Sequence, residues 1–214
     1  MALLRQLIPT LRLASNSSIL DVGAGDFTFS TFLSNEFDYK VTACEPRFMG
    51  DSSQFEFEIL NCSLDDLNST SKYDIVMALG LLYHLVDPMK GLSKLAELAD
   101  SYIILDTISI DHDGVAVVFL QEDSSFTGNS ITGGACRPSP NWIVESLKSF
   151  GFPFHLDLSY CIPNIPSDGE STGHCYNWDY KRSCGWRFNE MQLRRFLLFS
   201  RHPIPPHHFS ISDS

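Results

Sequence analysis

Short apolar runs alternate with stretches of helical periodicity from Ser18 to Asp106. Ser18–Val22 (SILDV), Val41–Glu45 (VTACE), Phe55–Leu60, Asp74–Leu79 (DIVMAL) and Tyr102–Asp106 (YIILD) read as strands. Apart from Phe55–Leu60, where Glu56 and Glu58 alternate with phenylalanines, each is mostly apolar, which marks strands covered on both faces. Between them, 27–37 and 88–100 read as helices, the latter with Pro88 in its first turn, and Ser63–Leu67 as a short helix capped by Ser63. Before them, Leu3, Leu4, Leu7, Ile8 and Leu11 fall on one face of an amphipathic helix. Alternating strands and helices of this kind predict an α/β fold with a parallel sheet between two helical layers.

After Asp106 the pattern loosens. Gly114–Leu120 reads as a strand, 122–140 as a long polar, glycine-rich loop, and 141–150 as a helix around Trp142, Ile143 and Leu147. Phe154–Tyr160 and Leu193–Arg201 read as the last two strands, with an irregular aromatic stretch between them that carries Tyr176, Trp178, Tyr180 and Trp186. That cluster reads either as a lid over a site or as a satellite core. No repeat or internal boundary is visible, so 1–202 is expected to form one domain and 203–214, with His207 and His208, a frayed tail.

Length and charge narrow the function. A chain of 214 residues suits one domain of generous size. Fifteen basic against 26 acidic residues give a net charge of −11, which argues against nucleic acid and anionic membranes as partners. The longest apolar run, 75–83, is too short to span a membrane. Six cysteines without a CxxC pair read as reduced thiols of a cytoplasmic protein, and His174, Cys175 and Cys184 lack the spacing of a familiar metal site, so no metal is expected. Arg5, Arg12 and the absence of acids before Ser18 also fit a mitochondrial presequence; the amphipathic helix is the preferred reading.

The chemistry concentrates at Asp21-Val22-Gly23-Ala24-Gly25-Asp26, a glycine turn between a strand and a helix. Glycines there permit a tight turn and close approach of a ligand to the backbone. A dinucleotide fingerprint would need a third glycine where Thr28 stands, and Asp21 and Asp26 would repel a pyrophosphate. The acids suit a ligand with a cationic end and no phosphate. Glu45 follows Gly25 by 20 residues and ends the next strand, where a carboxylate can accept from both ribose hydroxyls. S-adenosylmethionine (SAM) has this combination of groups. An ordinary strand–helix turn with Asp26 as a cap is the competing reading.

Ser18–Thr28, Val41–Arg47 and Tyr73–Thr107 together resemble a class I SAM-dependent methyltransferase. The segment Leu79–Pro88 (LGLLYHLVDP) is similar to the GLLYHL-x-DP segment of the subgroup that includes the tRNA wobble-uridine carboxymethyltransferase, as is Arg137-Pro138-Ser139 followed by Asn141-Trp142. The similarity runs from about Ser18 to Phe152. It implies a Rossmann-like seven-stranded sheet of order 3-2-1-4-5-7-6 with the seventh strand antiparallel. It implies that Asp21, Gly23 and Gly25 line the methionine end, that Glu45 holds the ribose, and that Asn61, Cys62 and Ser63 contact adenine. Leu79 and Gly80 would face the sulfonium, and Tyr83 and His84 the methyl-transfer face. His84 has an ordinary pKa suited to a general base, and Asp106 would orient an acceptor or the base. Arg137 and Trp142 are candidates for acceptor binding, Arg137 through an anionic group. The expected activity is methyl transfer to a small molecule such as a sugar or carboxylated metabolite. The alternatives are an RNA-modifying methyltransferase and a SAM-binding partner subunit without catalysis.

Overall fold

The computed structural model describes residues 1–68, 71–125, 128–162 and 192–204. Its centre is a seven-stranded sheet of order β3-β2-β1-β4-β5-β9-β8. These strands are β1 (Ser18–Val22), β2 (Lys40–Cys44), β3 (Glu58–Leu60), β4 (Tyr73–Leu79), β5 (Ala99–Ile110), β8 (Phe154–Asp157) and β9 (Gln192–Ser200). β1 to β5 run parallel, and β9 inserts antiparallel between β5 and β8. This is the order the resemblance implied. β6 (Val117–Gln121) and β7 (Gly134–Pro138) form a separate antiparallel pair.

Strand alternation divides the core between the two faces of the sheet. Leu20, Val76, Ile103, Leu105, Leu197 and Phe199 pack on one side against Leu92 and Leu95 of α3 (Pro88–Leu98) and Ile143 and Leu147 of α4 (Pro140–Ser149). Ile19, Ile75, Met77, Ile104 and Leu198 pack on the other against α1 (Ala2–Thr10) and α2 (Thr28–Glu36). Leu4, Leu7 and Ile8 of α1 are buried, so the expected apolar face of the first helix is a core face. Asp87 caps α3 by accepting from the Lys90 amide at 3.0 Å, with Pro88 in the first turn.

Three elements differ from expectation. Ser63–Leu67 forms turns rather than a helix: the Ser63 hydroxyl bonds Asp66, but too few residues follow to repeat the pattern. β5 continues past Asp106 to Ile110, because β9 pairs with it residue by residue as far as Ile110 opposite Gln192. The expected loop 122–140 contains β7, which returns along β6 and places Arg137 opposite Val118. Among the described residues no helix is long and apolar enough to cross a membrane. The aromatic stretch with Tyr176, Trp178, Tyr180 and Trp186, the candidates His174, Cys175 and Cys184, and the tail from residue 205 lie outside the described residues.

Candidate active site

The carboxyl ends of β1, β2 and β4 bring the expected residues to one edge of the sheet. After β1 the chain turns sharply, held by the Gly23 and Ala24 amides donating to the Cys44 carbonyl at 2.8 and 3.2 Å. Gly25 takes φ +59°, and a Cβ built on it would meet nothing within 4 Å. The turn is thus open to a ligand on that side. The Gly25 amide donates to Glu45 Oε2 at 3.0 Å, and the Arg47 amide to Oε1 at 3.0 Å. Glu45 is therefore fixed against the glycine turn, and each oxygen retains a further lone pair. Asp26 accepts from the Thr28 amide at 3.0 Å, so it does cap the turn into α2. Phe27 precedes α2 at φ +62°, an uncommon conformation for a bulky residue, and its ring packs 5.1 Å from both Phe48 and Phe55.

Asp21 is 2% exposed, and its Oδ2 accepts from the Ser30 hydroxyl at 2.6 Å. Burial pushes its carboxyl up to about 6; the Ser30 bond opposes this and the nearby Glu45 charge adds to it. The unfolded chain releases the Asp21 proton at lower pH than the folded chain does. Asp21 therefore costs stability increasingly as pH rises from about 4 to 6, up to roughly 3 kcal/mol above that window. Asp21→Asn keeps an acceptor for Ser30 and should unfold at a higher temperature than wild type at pH 7 to 8. The gap should shrink as pH falls towards 5 in thermal melts. A gap independent of pH would mean that the carboxylate charge is not the cause.

On the adenine side expected from the resemblance, the Asn61 side-chain amide donates to the Phe48 carbonyl at 2.8 Å. The Cys62 sulfur lies 3.6 Å from that of Cys44, whose thiol burial pushes well up. The four described cysteines, 44, 62, 136 and 161, carry free thiols.

β4 ends at Leu79, and Gly80 follows with φ +90°. A Cβ there would stand 3.3 Å from Arg194 Nη2 and 3.6 Å from the Tyr83 hydroxyl, and the positive φ is what favours glycine at this position. A single 3-10 turn, Leu82–His84, then presents Tyr83 and His84, with Leu82 anchored in the core. His84 Nδ1 lies 2.7 Å from Glu122 Oε2, and the two side chains are only 17% and 12% exposed. Burial holds the His84 pKa below its ordinary value; Arg137 and Arg194 press it the same way, and Glu122 opposes them. Burial also raises the Glu122 carboxyl, but the Ser130 amide, His84 and Arg137 outweigh this and hold it below the usual range.

Two expectations change here. Arg137 is drawn into the protein by the β6–β7 pairing and is 8% exposed. Its guanidinium donates to the Tyr83 carbonyl at 3.1 Å, the Cys136 carbonyl at 2.8 Å and Glu122 Oε1 at 3.3 Å. The fork expected to receive an acceptor anion is occupied internally. Asp106 does not pair with His84: its Oδ1 accepts from Arg194 Nε at 2.6 Å, while its carbonyl accepts from the Gly80 amide at 2.8 Å. Trp142, half-buried in the first turn of α4, packs against the core with part of its side chain still exposed.

Two residues at the site escaped the sequence reading. Glu122 lay in apparent loop text with no partner in view. Arg194 had a signal: consecutive Arg194 and Arg195 in a strand put a cation on each face of a sheet that is covered on both. Arg194 reaches Asp106, and Arg195, 3% exposed, lies 3.6 Å from Asp157.

No family model matches the chain, and no curated protein does. Solved structures do. The N-terminal domain of EvdMO1, with S-adenosylhomocysteine (SAH) and D-fucose, matches with a TM-score of 0.67 at 14% identity, over 94% of this chain and 82% of that one. Magnesium protoporphyrin IX methyltransferase from Synechocystis PCC 6803, with SAM, matches with a TM-score of 0.55 at 17% identity, over 94% and 77%. The 1,6-didemethyltoxoflavin-N1-methyltransferase of Burkholderia thailandensis, with that compound and SAH, matches with a TM-score of 0.56 at 12% identity, over 93% and 76%. The chain therefore has the Rossmann-like, seven-stranded fold of the class I SAM-dependent methyltransferases.

Proposed function

We propose that this protein transfers the methyl group of SAM to a small-molecule acceptor, with His84 taking the acceptor's proton. One observation carries the reading. The Gly23–Gly25 turn, bonded to Glu45, shares the carboxyl edge of the sheet with the Tyr83–His84 turn that follows the neighbouring strand β4.

The residues present suit SAM. The space over Gly25 admits a ligand against the backbone. The buried Asp21 carboxyl, pushed to about 6, would be eased by an adjacent cation. Asp21, Gly23 and Gly25 would hold the methionine end, Glu45 the ribose, Asn61 and Cys62 the adenine, and Leu79 and Gly80 the sulfonium. When bound, SAM supplies a methyl group on a positively charged sulfur, which departs as a neutral thioether. The protein's part is to align the acceptor and receive its proton. A neutral His84, its pKa held down by burial, can do so at neutral pH.

The small-molecule reading draws on charge. The net charge is −11, and Arg137 and Arg195 are buried, which makes the solvent-facing surface poorer still in cations. The Burkholderia enzyme with bound 1,6-didemethyltoxoflavin is an example of this fold holding a small molecule, and EvdMO1 was crystallised in the presence of D-fucose. The test is the purified chain with radiolabelled SAM, screened against sugars, carboxylated sugars, phenols and bulk tRNA. Label in a small molecule supports the reading. Label in tRNA alone contradicts it, and would favour the RNA-modifying relatives that the Leu79–Pro88 segment resembles.

A further inference from the structure

We propose that Glu122 is the positioning residue of His84: it fixes the imidazole proton on Nδ1, leaves Nε2 as the proton acceptor, and thereby fits the site to an acceptor whose nucleophile is a neutral hydroxyl. This rests on the methyl-transfer reading above.

The 2.7 Å contact between His84 Nδ1 and Glu122 Oε2 fixes the tautomer. An ionised carboxylate only accepts, so the proton must sit on Nδ1 and the lone pair of neutral imidazole on Nε2. The carboxylate is itself fixed from two other directions. Ser130 donates its amide to the same oxygen at 2.9 Å, and Arg137 Nη2 donates to Oε1 at 3.3 Å. The Glu122 amide donates to the Gly133 carbonyl at 2.7 Å, which ties the residue to the far side of the β6–β7 connection. Arg137 also bonds the Tyr83 carbonyl and the Cys136 thiol the Leu82 carbonyl, so the turn bearing His84 and the β6–β7 pair beside Glu122 are joined at three points. Surface ion pairs rarely have such depth or such support; a residue that orients a working histidine needs both.

The charges around His84 balance. Glu122 and Asp106 stand against Arg137 and Arg194, and the two guanidiniums lie 5.3 and 5.6 Å from the Tyr83 ring, which is itself 4.1 Å from the imidazole. A balanced cluster favours neither an anionic nor a cationic acceptor. Burial, with Arg137 and Arg194 nearby, holds the His84 pKa below its ordinary value against the pull of Glu122, so the imidazole can stand neutral. An amine can lose its proton to solvent before it reacts, whereas an aliphatic hydroxyl stays protonated at physiological pH and gains most from a base. The hydroxyl oxygen forms the new bond to carbon, the sulfur–carbon bond breaks towards sulfur, and the proton passes to His84 Nε2.

The test is 15N NMR of the full chain labelled at histidine, with His84→Gln to assign the resonances. Wild type should show His84 protonated on Nδ1 when neutral. Glu122→Gln removes the charge that favours imidazolium, and should lower the His84 titration midpoint by about one pH unit. Wild-type His84 protonated on Nε2, or an unchanged midpoint in Glu122→Gln, overturns the positioning role. The wild-type tautomer answers the question even if the variant does not fold. Calorimetric titration of the same proteins with SAH separates the two layers: wild type that binds SAH but shows the wrong tautomer sinks this inference alone, and wild type that does not bind SAH sinks the methyl-transfer reading with it. In the acceptor screen, a methyl ether product supports the hydroxyl assignment and an N- or S-methyl product contradicts it.

Discussion

Replacing His84 with alanine should slow methyl transfer by roughly 10²- to 10⁴-fold at saturating SAM, the usual contribution of a positioned base. Affinity for SAH should stay within about twofold of wild type, a difference below 1 kcal/mol. The two effects separate because of where the residue sits. His84 lies in the 3-10 turn beyond β4 and bonds Glu122, whereas the glycine turn and Glu45 follow β1 and β2. Folding should be little changed, since Leu82, not His84, anchors that turn in the core. A variant that turns over like wild type would make His84 a packing residue. One that loses SAH affinity as well would place it in the cofactor site.

Gly25→Val should abolish SAH binding, by about 100-fold or more, equivalent to at least roughly 2.7 kcal/mol. Any side chain at Gly25 enters the open space over the turn, and a β-branched one also crowds the backbone at φ +59°. The accompanying strain should cost about 1 to 3 kcal/mol of stability, so the variant should remain folded at moderate temperature. Gly23 is a poorer test: at φ +71° its Cβ would also press on Leu81 Cδ1 at 3.1 Å, mixing damage to the fold with damage to the site. Calorimetry on folded Gly25→Val, checked by its thermal transition, reads both effects. Wild-type affinity would mean the ligand does not approach the turn.

The parts of the fold legible in the sequence were those fixed by local pattern. β1 and β4 are short, mostly apolar runs, and Gly25 and Glu45 come together because one helix and one strand separate such positions in a β-α-β unit. What stayed hidden depends on pairing across long stretches of chain. Thr107 to Ile110 look like the start of a loop until β9 pairs with them. Gly134–Pro138 reads as loop because GACRP has little strand character of its own, and β6 supplies its partner. The same pairing decided the chemistry. It buried Arg137 and delivered Glu122 to His84, so the residue expected to meet the acceptor instead bonds the carboxylate that contacts His84. Arg194 was readable as a buried cation, but its partner Asp106 is 88 residues away in sequence.

The central claim is that the Gly23–Gly25 turn and Glu45 hold SAM. Calorimetric titration of SAH into wild type and Glu45→Ala, without added metal, tests it most directly. Wild type should bind one SAH per chain, and Glu45→Ala should bind about 1 to 3 kcal/mol more weakly, the cost of losing bonds to a charged group. No binding to wild type, or equal affinity in Glu45→Ala, would contradict it.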